Sequence, residues 1–500
     1  MVAGFPSVQV TMLFRRNTIS SLPAHRVHIT PLLVSMAGLV GLAGIVGNDL
    51  PTKLTAGLAF AGQQYPASHI QFLRDDTWVD ANGRRHVSQT IFNEVFHLID
   101  QARQLVLVDM FLFNDFQGKT PETTRALAAE LTTRLIYQKS RFPEINVIVI
   151  TDPINTVYGG LPSIYLQRLR EHDIVVHITE LDRLPDSNPT YSWLWRLLIK
   201  PFGNGRAETL PNPFGDGRVS VRSWFRLLNF KANHRKVLIT DQADQWVGLV
   251  TSGNPHDGSS AHHNVALRFD GGAVLDLFRS ELAVLGLSNE ITPIVALPDQ
   301  SMESSTGAIQ VLTEGRIKEA ALALIDQTGP MDRVDLMMFY LADRQIIEAF
   351  KAAQQRGVQL RLLLDPNKDA FGFTKSGVPN RPVAHELHQV GIPIRWCDTH
   401  GEQCHTKMML VRFGAGRAAL LLGSANFTRR NLNNFNLETD VLLRAPAGSL
   451  PIAKAEQLFS DYWHNTPTRH YSVEYDRFND PSPLRYWQYR FQEATGMSSF

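Results

Sequence analysis

The feature that most constrains the fold of this chain is an internal repeat. Five segments recur in the same order in the two halves of the sequence. In the first half they are "HIQFL" (69–73), "LIDQ" (98–101), "LVLVDMFLFND" (105–115), "NVIVITDPIN" (146–155) and "DIVVHIT" (173–179). In the second half they are "AIQVL" (308–312), "LIDQ" (324–327), "VDLMMFYLAD" (334–343), "VQLRLLLDPNK" (358–368) and "GIPIRWC" (391–397). A duplicated order of this kind predicts two similar structural units.

Short apolar runs that alternate with helical stretches are typical of an α/β protein with largely buried strands. The sequence therefore predicts two similar α/β units packed side by side, each with a mixed, mostly buried sheet flanked by helices. The expected organisation is a leader (1–64), a first unit (65–288), a second unit (289–470) and a C-terminal tail (471–500). The first unit carries an insertion at about 182–231. Its aromatic run "YSWLWRLLIKPF" is either an interfacial or substrate-covering element or a surface excursion packed on the core.

The leader contains twenty uncharged residues at 29–48, preceded by Arg15, Arg16 and Arg26. This length suits one membrane span with the N-terminus inside and the body of the protein across the membrane. A signal peptide is the alternative, because "LAFAG" at 58–62 resembles a cleavage site. A buried core helix is the third interpretation. The first two predict a membrane-associated protein.

The composition excludes some classes of protein. A formal net charge of +1 disfavours a nucleic-acid-binding protein that relies on a broad basic surface. Two cysteines, Cys397 and Cys404, predict no disulfide framework and no cysteine-rich zinc site. We expect Cys404 to be a small strand residue that faces away from any site.

A His-x-Lys pair occurs at His234 and Lys236 and again at His405 and Lys407. Of the seventeen histidines, only these two have a lysine two residues later. Both pairs lie at equivalent points of the repeat, and each is followed by two apolar strands and a small polar cluster. Because alternate residues of a strand face the same side, each pair points into one pocket. The sequence therefore predicts one site with two imidazoles and two ammonium groups.

These residues resemble the phospholipase D superfamily, whose mark is a duplicated H-x-K-x4-D followed by G-S-x-N. In the first copy Asp241 completes the motif and the cluster is shortened to Ser252, Gly253 and Asn254. In the second copy Ser424 and Asn426 are present, but Arg412 stands where the motif has Asp. That change is expected to affect local structure more than chemistry. The layout is most similar to the bacterial cardiolipin synthase and phosphatidylserine synthase branch.

The resemblance implies that one histidine attacks phosphorus and the other protonates the leaving alcohol, through a covalent phosphohistidine. Lys236 and Lys407, with Ser252, Asn254, Ser424 and Asn426, would orient the phosphate oxygens. No cofactor or metal is expected. We interpret the nearby His256, His262 and His263 as loop or phosphate-proximal residues rather than metal ligands.

A carboxylate partner distinguishes the two histidines. Glu438, with Asp440 as a rival, is expected to hold His405 as the general acid, while Asn264 occupies the equivalent place in the first half. This interpretation makes His234 the nucleophile and gives Asp241 and Asn264 supporting roles.

The predicted function is transfer of a phosphatidyl group from a phospholipid to an alcohol acceptor at a membrane, with no nucleic-acid partner. A phospholipase D that releases phosphatidic acid is the first alternative, and an endonuclease of the same superfamily is the second. A catalytically inactive lipid-binding scaffold is disfavoured because both His-x-Lys pairs are intact. The sequence does not specify an oligomeric state.

Overall fold

The computed structural model describes residues 53–118, 125–203, 208–243, 245–287, 307–370, 373–498 and 500. The predicted span at 29–48 lies outside these residues. Within the described ranges, no helix is both long and apolar enough to cross a bilayer.

The strands in the first half of the sequence are β1 (Tyr65–Ala67), β2 (Gln71–Val79), β3 (Arg85–Ser88), β4 (Leu105–Met110), β5 (Asn146–Thr151), β6 (Val175–Ile178), β7 (Leu210–Pro211), β8 (Arg218–Val219), β9 (Lys236–Gln242), β10 (Gln245–Thr251) and β11 (Asn264–Asp270). Those of the second half are β12 (Gly307–Thr313), β13 (Arg333–Met338), β14 (Gln359–Leu364), β15 (Asp369–Ala370), β16 (Phe373–Thr374), β17 (Ile394–Cys397), β18 (Lys407–Phe413), β19 (Arg417–Gly423), β20 (Thr439–Pro446) and β21 (Ser472–Glu474).

Helices cover the outer faces of the sheets and connect their strands. They are α1 (Ile91–Gln101), α2 (Leu127–Arg141), α3 (Ile164–Arg170), α4 (Pro189–Leu198), α5 (Val221–Arg226), α6 (Gly272–Leu285), α7 (Gly315–Asp326), α8 (Arg344–Gln355), α9 (Asn380–His388), α10 (Arg429–Leu432), α11 (Leu450–His464) and α12 (Pro483–Thr495).

Two large mixed sheets repeat one topology, which confirms the predicted α/β class. In the described chain, the first sheet has the order β3-β2-β11-β10-β9-β4-β5-β6 and the second β1-β12-β20-β19-β18-β13-β14-β17-β21. β4, β5 and β6 pair in parallel, and so do β13, β14 and β17. The remaining ladders of both sheets are antiparallel.

The two sheets share one buried core, because their strands are apolar on both faces. Along β4, Leu105 and Leu107 belong to a cluster that also contains Leu421 of β19. The alternating Val106 and Val108 face the other way and pack in a second cluster with residues of α1 and α2. The predicted side-by-side arrangement therefore buries a continuous apolar layer between the two halves.

The boundary expected at residue 64 does not separate a leader from the core. Leu58 is fully buried, Gly62 N donates to the Val311 carbonyl and Thr313 N to the Phe60 carbonyl. β1 then pairs with β12, so the start of the first half belongs to the sheet of the second half. A truncation at residue 64 would therefore remove contacts of the folded core.

The predicted insertion contains α4, α5 and two short strands, β7 and β8. Trp195 of α4 is buried, but Leu194, Leu197, Leu198 and Phe202 are exposed. The insertion therefore both packs on the core and presents an apolar surface. The predicted tail packs on the body, since β21 adds to the edge of the second sheet beside β17.

Cys397 and Cys404 form a disulfide, which corrects the expectation that Cys404 is a simple strand residue. Cys397 ends β17 and Cys404 directly precedes His405. The fold brings their Cα atoms to 6.2 Å. The bond thus closes the loop that leads into the second His-x-Lys pair.

Candidate active site

The two His-x-Lys pairs occupy the same place in their sheets. Lys236 is the first residue of β9 and Lys407 the first residue of β18, and each histidine lies just before its strand. All four side chains are buried, with His234 3% and His405 2% exposed. The matched position predicted from the repeat is therefore present in the structure.

A phenylalanine supports each pair in the same way. The Phe111 ring packs edge-on against His234 at 4.8 Å between centroids, and Phe339 packs against His405 at 5.2 Å. Each phenylalanine also lies 5.2 Å from the ammonium group of the lysine in its own half. The two phenylalanines directly follow β4 and β13. The repeated apolar runs therefore provide the aromatic rings that contact the imidazoles and ammonium groups.

The partners of the histidines cross between the two halves. His234 Nδ1 lies 2.9 Å from the Glu438 carboxylate, and His405 Nδ1 lies 3.1 Å from Asn264 Oδ1. The expectation that Glu438 holds His405 is therefore wrong. Asp440, the rival partner, instead accepts from the backbone N–H of Ala425 at 3.0 Å.

Two backbone bridges between the halves cause this crossing. His234 N donates to the Leu437 carbonyl at 2.8 Å, and Leu437 N donates to the Ala232 carbonyl at 3.0 Å. These two bonds place Glu438, the next residue, beside His234. In the same way His263 N donates to the Gln403 carbonyl at 3.0 Å, and this bond places Asn264 beside His405. Each half therefore supplies the side chain that orients the histidine of the other half.

Two aspartates that were not predicted as site residues position the histidines. The Asp152 carboxylate accepts from the backbone N–H of Asn233 at 2.8 Å, and Asp365 accepts from that of Cys404 at 2.8 Å. These amides belong to the residues immediately before the two histidines. The signal was available in the sequence, because an Asp-Pro pair ends the same strand in both halves.

The predicted phosphate-binding residues divide into two groups. The Ser252 hydroxyl donates to Asn264 Oδ1 at 3.0 Å, and the Ser424 hydroxyl donates to the Glu438 carboxylate. These serines therefore hold the partners of the histidines, and their direct contact with phosphate stays a prediction. Asn254 Oδ1 accepts from Leu112 N at 3.1 Å, whereas Asn426 lines the cleft above His234.

Burial governs the electrostatics of the site. It lowers the pKa of both His234 and His405 well below 6.5, and the nearby lysines add to the effect. Burial also lowers the pKa of Lys236 to about 7 and that of Lys407 well below 10.5. These histidines and lysines are therefore partly deprotonated in the empty site. An anionic ligand binds favourably there, because its negative charge stabilises their protonated forms.

A neutral His234 has one proton, which Glu438 draws to Nδ1. Burial raises the pKa of Glu438 to about 8, while Lys236 opposes that effect. The carboxylate also accepts from Ser424 Oγ and Asn431 Nδ2, and these donors favour its ionised form. The resulting tautomer leaves a lone pair on His234 Nε2.

A narrow cleft lies beside His234. Its walls include Phe230, Tyr340 and Asn436, together with the buried Arg430. Arg430 was missed from the sequence, because nothing in an Arg-Arg pair tells which guanidinium is buried.

Comparison with known proteins identifies the architecture. Residues 322–463, which contain the second His-x-Lys pair, match the family described as "Cardiolipin synthase, PLD-like domain". The second half carries a phospholipase D-like domain. The first pair repeats the geometry of the matched region, as a duplicated phospholipase D motif requires.

Cardiolipin synthase A of Pseudomonas putida (strain W619) is 22% identical over 294 residues, which are 56% of this chain and 49% of that protein. The match thus spans about half the length of this curated relative. The crystal structure of phosphatidylserine synthase from Haemophilus influenzae Rd KW20 has a TM-score of 0.53 and 10% identity, over 92% of this chain and 98% of that chain, and shows a shared fold. Nuc of Salmonella typhimurium, a phospholipase D family member, gives a TM-score of 0.26 at 20% identity over 33% of this chain and 99% of that chain, which is too low to carry an argument.

The aspartate of the first phospholipase D motif is structural. Asp241 accepts from the three successive backbone amides at 103–105, at 2.8–3.1 Å, and so ties the end of β9 to the start of β4. At the equivalent point of the second copy Arg412 forms an ion pair with Glu456. The substitution changes a local contact at the far end of the strand, away from the histidines.

The three additional histidines have protein partners. His256 lies 3.0 Å from Ser259 Oγ and 2.6 Å from the Phe116 carbonyl, and His263 contacts the Tyr462 hydroxyl. His262 Nδ1 accepts from Gln403 N at 3.3 Å, and its ring lies 6.0 Å from that of His405.

Proposed function

We propose that this protein is a phosphatidyltransferase of the cardiolipin-synthase type that acts on phospholipid phosphodiesters through a covalent phosphohistidine. The observation that carries the proposal is the crossed pair of hydrogen bonds at Nδ1 of His234 and His405. Both bonds fix the neutral tautomer with Nε2 free, and within the described residues His405 Nε2 is buried without a hydrogen-bond partner. Two such imidazoles in one site suit an in-line displacement at phosphorus.

His234 is the proposed nucleophile. Its Nε2 attacks phosphorus, the N–P bond forms and the bond from phosphorus to the leaving oxygen breaks. The imidazole ring gains positive charge in this step, and the Glu438 carboxylate at Nδ1 compensates it. His405 has only a neutral amide partner, so no equivalent compensation exists for it. The assignment of His234 thus remains, but for a different reason from the one inferred from the sequence.

His405 is the proposed general acid and base. Binding of the anionic phosphodiester opposes the burial that lowers the pKa of His405, so Nε2 becomes protonated and donates to the leaving alcohol. In the second step His405 removes the proton of the acceptor hydroxyl, the acceptor oxygen attacks phosphorus and the N–P bond to His234 breaks. The buried ammonium groups of Lys236 and Lys407 stabilise the charge on the non-bridging oxygens in both steps.

A phospholipid substrate and a membrane location follow from the same resemblance. The similarity to cardiolipin synthase A supports membrane association, and the uncharged segment at 29–48 is the proposed anchor. Of the domain organisation predicted from the sequence, the division into two phospholipase D-like units remains part of this proposal, with the start of the folded body moved to before Leu58.

Incubation of the purified protein with phosphatidylglycerol tests the function. We expect cardiolipin and free glycerol, and no product from His234→Ala or His405→Ala. Release of phosphatidic acid alone would make the protein a phospholipase, and cleavage of single-stranded DNA in a parallel reaction would make it a nuclease. Acid quench and peptide mapping should find the phosphoryl group on His234, and a label on His405 in the native enzyme would reverse the assignment.

A further inference from the structure

Arg430 is a buried cation in the catalytic cleft that the proposed mechanism does not use. It lies in α10, is 6% exposed and lines the same cleft as His234. Its guanidinium lies 4.8 Å from the Phe230 ring, and Nη2 donates to the Ser498 carbonyl. Among the described residues, no carboxylate lies within 4.0 Å of the Arg430 guanidinium, and its Nε has no hydrogen-bond partner.

An unpaired buried guanidinium is unfavourable without a function. Arg235, which is fully buried next to His234, shows the usual arrangement, since it pairs with Glu281 at 3.1 Å and Glu314 at 2.8 Å. Arg430 has the neutral carbonyl and hydroxyl of Ser498 in place of a carboxylate. An incoming anion would bind the guanidinium fork more strongly than that carbonyl does.

In the proposed mechanism other cations already serve the reacting phosphate. The cations that act on both histidines are Lys236 and Lys407. Arg430 instead reaches the cleft from α10, beside Tyr340 and Phe500, which belong to neither His-x-Lys pair. Resting on the proposed function, we infer that Arg430 binds the phosphate of the acceptor molecule, and that the enzyme selects a phosphate-bearing alcohol over a neutral one.

Two soluble acceptors test this inference without interference from membrane partitioning. The donor is a phosphatidyl ester of p-nitrophenol, and the acceptors are glycerophosphoglycerol, which has a phosphate, and glycerol, which has none. We expect the native enzyme to show a KM at least tenfold lower for glycerophosphoglycerol. Arg430→Gln should remove that difference while transfer to glycerol stays within about twofold of native. Arg430→Lys should retain part of it.

Arg429→Gln is the matched control. Arg429 lies beside Arg430 in α10, but it stacks on Phe435 at 4.5 Å and contacts the Ser187 carbonyl, and it should keep the native preference. A native enzyme without preference, or an Arg430→Gln variant that loses transfer to both acceptors equally, would overturn the inference. If the native enzyme transfers to neither acceptor and only hydrolyses the donor, the proposed function fails instead. Should Arg430→Gln not fold, the native preference and Arg430→Lys still decide.

A separate observation concerns two helices whose exposed faces are apolar. α4 and the turn after it expose Leu194, Leu197, Leu198 and Phe202, the last at 84%. α12 exposes Leu484, Trp487 and Phe491, while Tyr489 and Glu493 on its opposite face are buried. Both sets recur every three or four residues, so each forms one side of its helix. A solvated helix has the reverse pattern.

The C-terminal end of α12 lies between the N-terminal end of α4 and the wall of the catalytic cleft. A Cβ on Gly496, which follows α12, would overlap the Ser187 carbonyl, and Ser187 lies two residues before α4. The chain after α12 continues to Ser498, which accepts from Arg430, and to Phe500 in the cleft wall. No acidic residue occurs at 189–203, and the only one in α12 is the buried Glu493.

We propose, again on the basis of the proposed function, that the exposed faces of α4 and α12 dock on the phospholipid bilayer. Helix faces that present leucine, phenylalanine and tryptophan and lack exposed acidic residues are typical of segments that enter the interfacial region of a membrane. Continuity with the cleft identifies the bilayer as the occupant, because the lipid substrate must pass from the membrane to His234.

Brominated-lipid quenching of tryptophan fluorescence tests the docking in the full chain. Vesicles of brominated phosphatidylglycerol should quench the native protein more than Trp487→Phe, since the variant lacks the exposed indole. A fourfold Ser variant at Leu197, Phe202, Trp487 and Phe491 should lose activity on vesicles about tenfold or more. It should keep native activity on a dispersed short-chain donor. Met331→Ser, at a residue 83% exposed before β13, is the control and should behave as native.

Equal quenching of native protein and Trp487→Phe, with vesicle activity unchanged in the fourfold variant, would overturn the docking proposal. So would dissociation of a native oligomer by the fourfold variant, because a second copy would then cover these faces. Failure of the proposed function has a different signature, since His234→Ala should lose activity on both substrates and still be quenched as the native protein is.

Discussion

Replacement of Glu438 by glutamine tests the crossed arrangement of the active site most directly. The carboxylate lies 2.9 Å from His234 Nδ1. A glutamine of the same shape removes its charge, and its amide can donate to Nδ1 and favour the tautomer without a lone pair on Nε2. We therefore expect formation of the phosphohistidine to slow while the fold is retained.

The magnitude follows from the separation of the charges. The positive charge of the phosphohistidine is spread over the ring, so its effective distance from the carboxylate is about 4 Å. With an effective dielectric constant of about 20, this gives about 4 kcal/mol, or roughly a 10³-fold loss of turnover. Asn264→Ala removes only a hydrogen bond from a neutral partner of His405. That loss is worth about 1 kcal/mol, or about fivefold.

The assay is the burst of p-nitrophenol released from a phosphatidyl ester, because the burst reports formation of the covalent intermediate alone. Asp335→Asn is the control, since Asp335 is a buried carboxylate whose partners are Arg333 and Arg361 rather than a histidine. If Asn264→Ala slows the burst as much as Glu438→Gln does, the carboxylate does not serve the nucleophile.

Three further predictions concern stability. Asp241→Ala should lower the free energy of unfolding by about 3 kcal/mol, because it frees three backbone amides, and should leave KM unchanged at low temperature. Reduction of the Cys397–Cys404 disulfide, whose cysteines are 7 residues apart, should cost about 2.4 kcal/mol by loop-closure entropy in urea unfolding. Burial raises the pKa of Glu493 from 4.5 to about 7, so its contribution to stability is complete below about pH 4.5 and is lost as the pH rises to about 7. Glu493→Gln should therefore reduce the loss of stability between pH 5 and pH 8 by up to about 3 kcal/mol in urea unfolding, and an unchanged pH dependence would contradict this.

The sequence by itself determined the features that depend on local spacing. The repeated apolar runs specify two α/β units, because strands buried on both faces need continuous apolar residues. The His-x-Lys spacing places both side chains of each pair on one side of a strand, since alternate residues share a face. The duplication then indicates which of the seventeen histidines act together.

Only the tertiary structure decided how the two halves meet. Glu438 is 204 residues from His234, and no local pattern tells that the segment before it pairs with residues 232–234 rather than with its own half. The same holds for the contact of Asn264 with His405, for residues 58–62 on the second sheet and for the burial of Arg430 beside a half-buried Arg429. These contacts depend on how two sheets pack across a shared core. Packing between distant segments depends on the shapes of surfaces that form only when the chain has folded, and a short stretch of sequence does not specify those shapes.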